Sequence, residues 1–217
     1  MNLNKCKINI LGDSITEGVG ASSADKCFVS VLAAHTGAIC RNYGIGGTRI
    51  ALQKKSSAEP HWDYDFCSRV SGMDIDTDCV IVFGGTNDYG TGDAEFGSMS
   101  DRSKDTFYGA LHVLYRSLIE RFTDAKIVIA TPLHRCNEEN PRGDGKAADG
   151  PVLREYVRAI RETAEYYSLP VLDLYAVSGL QPEIAAIKER FMPDGLHPSD
   201  AGHAMIAERI QKFLEAL

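Results

Sequence analysis

The chain has 217 residues, 44% of them hydrophobic and 24% charged, with Lys+Arg 23 against Asp+Glu 30 for a net charge of −7. These proportions exclude a disordered, collagen-like or fibrous chain and leave no broad basic footprint for nucleic acid. At roughly 150 residues per domain they predict a single domain over 1–217.

The N-terminal stretch is too short and too interrupted for an export signal, and no apolar run approaches the ~18 residues of a membrane span. Six cysteines (6, 27, 40, 67, 79 and 136) include no Cys-x-x-Cys pair. With no export signal they read as reduced thiols in a cytoplasmic protein without membrane insertion.

In chain order, Lys7–Leu11 is short, β-branched and closed by Gly12, the pattern of a strand. Phe28, Val31 and Leu32 lie at helical spacing before Gly37, a C-cap candidate. Ala38–Arg41 predicts a second strand running into the glycine-rich Tyr43–Thr48. Cys79–Phe83 is almost wholly apolar, as a strand buried on both faces should be. Phe107, Ala110, Leu111, Leu114 and Leu118 form a 3.6-residue stripe. Lys126–Ala130 is another buried strand, stopped by Pro132. Leu153, Tyr156, Val157, Ile160 and Ala164 mark the next helix and Pro170–Leu174 a fifth strand. Ile206, Ile210, Phe213 and Leu214 mark a closing helix.

Alternating strands and helices imply right-handed crossovers. The fold class is therefore α/β, a three-layer α/β/α sandwich on a five-stranded parallel sheet. Ligands of such sheets bind beyond the carboxyl ends of the strands. Leu133–Gly150, about 18 residues of polar loop, is expected near that edge.

Four segments follow those strand ends or precede the last helix. Ser14, in Gly12-Asp13-Ser14-Ile15-Thr16, sits at the start of a short helix whose N–H groups favour developing negative charge; alone it reads as a helix cap. Asn42-Tyr43-Gly44-Ile45-Gly46-Gly47 can aim a backbone N–H inward, or be a plain turn. A phosphate loop and a dinucleotide fingerprint both fail on their spacing, so no cofactor is expected. Asn87, in Gly84-Gly85-Thr86-Asn87-Asp88, can offer its amide while its carbonyl anchors elsewhere, or form an Asx-turn. His197 can serve as a general base, with Asp194 three residues earlier fixing its tautomer; alone the pair reads as a structural hydrogen bond. Four such positions together make an acyl-transfer site.

These blocks resemble the SGNH hydrolase superfamily, the GDSL esterases and lipases, in order and from residue 12 to 197; Ile15 stands where the family name has leucine. The resemblance implies a flavodoxin-like sheet. It also implies Ser14 as nucleophile, His197 as base and Asp194 as supporting acid. The oxyanion hole would be formed by Ser14, Gly47 and Asn87. The implied activity is a metal-free, serine-dependent hydrolysis of carboxylic esters. The polar loop and the lack of an apolar lid favour a short acyl group, such as acetyl on a polar or carbohydrate carrier. A lysophospholipase or thioesterase, and a non-catalytic flavodoxin-like binding module, are the competing readings. The expected partner is a small-molecule ester, and the oligomeric state stays open.

Asp13, Asp88, His134 and Arg135 flank these positions and are candidate substrate contacts, His134 and Arg135 being alternatively loop solubilisers. Tyr89, Phe96 and Trp62 are candidate pocket walls. Asp74–Asp78 begins like a calcium loop but lacks its glycine and distal glutamate. His35, His61, His112, His134 and His203 lack zinc spacing, so no metal is expected, and His203 is expected at the surface.

Overall fold

The computed structural model describes all residues from 1 to 217. Its five strands are β1 (Lys7–Gly12), β2 (Ile39–Gly44), β3 (Cys79–Phe83), β4 (Lys126–Ala130) and β5 (Val171–Leu172). They form one sheet in the order β2-β1-β3-β4-β5. Every neighbouring pair is parallel. The order reverses between β1 and β3, and at such a switch point the connections leave in opposite directions and open a crevice at the carboxyl edge.

The helices are α1 (Ser14–Glu17), α2 (Phe28–Thr36), α3 (Phe66–Arg69), α4 (Thr86–Gly90), α5 (Phe107–Arg121), α6 (Leu153–Tyr166), α7 (Leu174–Val177), α8 (Ala185–Phe191) and α9 (Asp200–Ala216). None is long and apolar enough to cross a membrane. Side chains of a strand alternate between faces, and β3 shows the result. Val80 and Val82 join α5 and α6 in one core cluster, while Cys79, Ile81 and Phe83 join α2 and α9 in the other. The sheet is thus the middle of three layers.

Three expectations need correction. The second strand runs from Ile39 to Gly44 rather than from Ala38 to Arg41, because Asn42, Tyr43 and Gly44 stay in register with Ile10, Leu11 and Gly12 of β1. The fifth strand stops at Leu172 rather than Leu174, because the Asp173 carboxylate accepts from the Ala176 N–H and starts α7. His203 is not at the surface: it is 0% exposed. Its Nδ1 accepts from the Phe28 N–H (3.3 Å), and its Nε2–H donates to the Val19 carbonyl (3.3 Å). Burial lowers its pKa, keeping the ring neutral for both bonds. His203 precedes Ile206, Ala207 and Ile210 at helical spacing and therefore shares their inward face.

Candidate active site

β1 delivers the chain into α1 at the switch point. Asp13 caps this single turn, its Oδ1 accepting from the Ile15 N–H at 3.0 Å. Gly18, at φ 111°, closes it with a left-handed residue. The turn lies directly on β2: a Cβ at Gly44 would collide with the backbone of Thr16 and Glu17. Asn42 adds a clasp, its Nδ2 donating to the Thr16 carbonyl (2.7 Å) and its Oδ1 accepting from the Gly44 N–H (2.8 Å). Ser14 is thereby held on a short, fixed helix, 8% exposed.

Ser14 Oγ lies 3.0 Å from His197 Nε2. His197 Nδ1 lies 2.7 Å from Asp194 Oδ2, and Asp194 Oδ1 accepts from the N–H groups of His197 (2.7 Å) and Leu196 (2.8 Å). A carboxylate only accepts, so Nδ1 carries the proton and Nε2 is left to accept from the serine. Burial raises the Asp194 pKa, but the bonds from His197 and Leu196 outweigh it and hold the carboxyl below its ordinary value. The turn that carries these residues is braced from the loop after β4, where the Cys136 N–H donates to the Gly195 carbonyl at 2.8 Å. Gly195 itself has φ 81°, and a side chain there would strike the Cys136 sulfur.

Beside the serine, Gly46 faces Ser14, and its N–H donates to Glu17 Oε2 at 2.8 Å. Gly47 has φ 73° and its N–H has no partner within the protein. Asn87, in the first turn of α4, is anchored by its amide rather than by its carbonyl, Nδ2 donating to the Thr48 carbonyl at 3.0 Å. That differs from the sequence expectation, but an amide nitrogen has two hydrogens and one remains. The Ser14 N–H, in the first turn of α1, has no helical acceptor.

Arg69, which the sequence analysis missed, joins the segments. Its guanidinium donates to the carbonyls of Gly12 (3.0 Å) and Tyr43 (2.9 Å) and to Thr48 Oγ1 (3.1 Å). The available signal was a lone arginine among Phe66, Val70 and Met73.

Three of the four candidate substrate contacts are structural instead. Asp13 caps α1. Asp88 is buried and accepts from the N–H groups of Ile50 and Ala51, both at 2.9 Å. Arg135 is buried and forks onto Asp144, both oxygens at 2.6 Å. His134 remains partly exposed, its Nδ1 2.8 Å from Glu138 Oε1.

Residues 133–150, expected near the site edge, support it: beyond the Cys136 bond to the turn of Asp194 and His197, they clasp α4. Lys146 Nζ donates to the Asp88 carbonyl (2.7 Å), Tyr89 Oη to the Asn140 carbonyl (3.0 Å) and the Asp144 N–H to the Gly90 carbonyl (2.8 Å). The loop braces the helix that carries Asn87. Of the candidate walls, Tyr89 is buried and Phe96 packs on Phe107, Tyr108 and Tyr156. Only Trp62 stands beside the glycine loop, where a Cβ at Gly47 would strike its ring.

Burial pushes Asp13 up to about 6, against the opposing effects of the Ile15 N–H, nearby His197 and the Arg69 guanidinium. A carboxyl raised on folding stabilises the protein only while protonated. That contribution is complete below the ordinary carboxylate range and is lost as pH rises through about 6. An asparagine in its place would keep the cap and have no proton to lose. Asp13→Asn should therefore gain stability relative to wild type between about pH 4 and about pH 7.5, by about 3 kcal/mol at most. Urea unfolding at the two pH values measures this; a difference that does not change with pH would refute it.

The GDSL-like Lipase/Acylhydrolase family model matches residues 10–205. One solved structure, 34% identical, covers 100% of this chain and 99% of its own at a TM-score of 0.86. Another, from Lactobacillus plantarum, is 29% identical over 98% of each chain at a TM-score of 0.83. A carbohydrate acetylesterase family member from Sinorhizobium meliloti, 17% identical, covers 97% of this chain and 98% of its own at 0.66, a likeness of fold. No curated protein matches the chain.

Proposed function

Because the chain belongs to the GDSL-like lipase/acylhydrolase family, we propose that it hydrolyses carboxylic esters with Ser14 as nucleophile, His197 as general base and Asp194 as the group that orients it. The observation that carries this is the unbroken hydrogen-bonded chain from Ser14 Oγ through His197 to Asp194, at 3.0 and 2.7 Å.

In this reading Ser14 Oγ attacks the ester carbonyl while its proton passes to His197 Nε2. The imidazolium stays paired with Asp194 and returns the proton to the departing alcohol. The tetrahedral oxyanion accepts from the N–H groups of Ser14 and Gly47 and from the remaining amide hydrogen of Asn87. Each such donor is worth on the order of 10²–10³ in rate. Water, activated by the same histidine, then releases the acid.

The preferred substrate is a short acyl ester on a polar carrier. The surroundings of Ser14 support this: Glu17, Gly46 and the Asn87 amide are small or polar.

The test is hydrolysis of p-nitrophenyl esters of rising chain length. kcat/KM should be highest for acetyl and fall by about tenfold for every few methylenes that find no pocket. A rise towards long chains would transfer the assignment to lipid esters, and no turnover on any ester would refute the hydrolase.

A further inference from the structure

Trp62 is the sole tryptophan of the chain, and nothing in the catalytic chain requires it. It stands on a short 3-10 turn, Pro60–Asp63, that ends the irregular segment after the glycine loop. Its ring covers Gly47 so closely that a Cβ there would collide with the indole at Cγ, Cδ1 and Nε1. It is only partly buried. Its indole N–H has no acceptor in the protein and is not sealed from water, although buried indoles ordinarily find a partner.

A charged side chain stands beside the ring. The Arg49 guanidinium lies 6.0 Å from its centroid, its Nη1 donating to Ser57 Oγ and its Nη2 to Thr91 Oγ1, both at 2.8 Å, while its buried Nε has no partner. Asp63 is occupied by the Ser57 N–H. The ring is thus half-open, with a guanidinium nearby, and packed against the glycine whose N–H would hold the oxyanion.

Resting on the ester-hydrolase reading above, we propose that Trp62 is the carrier-recognition residue, on which the sugar ring of an acylated carbohydrate stacks while the indole N–H donates to one of its oxygens. A pyranose presents C–H groups on its faces and hydroxyls at its edge, which matches an open aromatic plane with a free N–H at its own edge and a guanidinium nearby. A fatty acyl or other all-apolar group would leave the indole N–H unpaired, at a cost in affinity.

Two measurements test this. The first titrates Ser14→Ala with an O-acetylated methyl xyloside and reads tryptophan fluorescence. With one tryptophan, the signal reports Trp62 alone, and it should change saturably. Ethyl acetate, which has no ring, should leave it unchanged.

The second compares steady-state hydrolysis of the xyloside and ethyl acetate by wild type, Trp62→Phe and Trp62→Ala. Trp62→Ala should lower the preference for the xyloside over ethyl acetate about tenfold, through KM rather than kcat. Trp62→Phe, which keeps a ring and loses the N–H, should fall between. Circular dichroism verifies that both variants fold, and the fluorescence titration needs neither.

No saturable fluorescence change, or an equal loss of kcat on both esters, would overturn the proposal and leave Trp62 as a prop for Gly47. Failure of wild type to hydrolyse either ester, with saturable binding intact, would sink the hydrolase reading and spare the sugar site.

Discussion

Ser14→Ala should abolish ester turnover, lowering kcat by on the order of 10⁶, while the protein stays folded. The side chain has one protein partner, His197 Nε2, and the turn that carries it is held by other groups: the Asp13 cap, the Asn42 clasp and the contact with Gly44. Losing the hydroxyl therefore costs about 1 kcal/mol or less, and the melting temperature should move by only a few degrees. His197→Ala should be as damaging, and the double variant no worse than either single one, because nucleophile and base act as a unit. Asp194→Asn should retain weak turnover, reduced by up to about 10⁴. If the new amide oxygen keeps the two backbone N–H groups, its NH₂ faces His197 Nδ1 and selects the tautomer in which Nε2 no longer accepts. Acetyl ester hydrolysis by the four variants, each checked by circular dichroism, decides the matter. Wild-type turnover in Ser14→Ala, or losses that multiply in the double variant, would overturn the assignment.

What could be read from the sequence alone follows from which signals are local. β3 and β4 are continuous apolar runs, and a strand buried on both faces has little other way to be written. α5 and α6 carry full 3.6-residue stripes. α3, α7 and α8 have four to seven residues, too few for a stripe to repeat, and they leave no signal. The end of β5 is hidden for a related reason, since it depends on one aspartate cap.

In the site, the motif residues were legible because each lies where a chain segment meets the carboxyl edge of the sheet. Their supports were not. Asp88, Arg135 and Lys146 carry charges that, in sequence, look available to a ligand; in the fold each is consumed by a backbone carbonyl, a backbone N–H pair or an aspartate many residues away. Pairings of that range leave no local pattern. His203 is the opposite case: its stripe was present, and only its polar identity argued against the interior.

Arg69 is where that hidden layer should show the second large effect. Its guanidinium takes the carbonyl two residues before the nucleophile, the carbonyl at the end of β2 and the hydroxyl next to Gly47, and it lies 4.6 Å from the Phe66 ring centroid. Burial draws its pKa down to about 10 against the pull of Asp13 and Asp65, so it is a cation at neutral pH and helps keep Asp13 ionised. Arg69→Ala removes one partner from three oxygens at once. Leaving such acceptors unpaired costs about 1–3 kcal/mol each, partly relieved by entering water, so a loss of about 3–5 kcal/mol in urea unfolding is expected. Because the three oxygens belong to the segments that carry Ser14 and Gly47, kcat should also fall, by about 10- to 100-fold at little change in KM, as the donors drift from the position of the oxyanion. Arg69→Lys keeps the charge but not the planar fork, and cannot reach all three oxygens in the same geometry. It should recover part of the stability and less of the kcat. That split separates alignment of the site from plain stabilisation: if Arg69→Ala loses stability yet keeps kcat within about twofold on the acetyl ester, Arg69 supports the fold and not the chemistry.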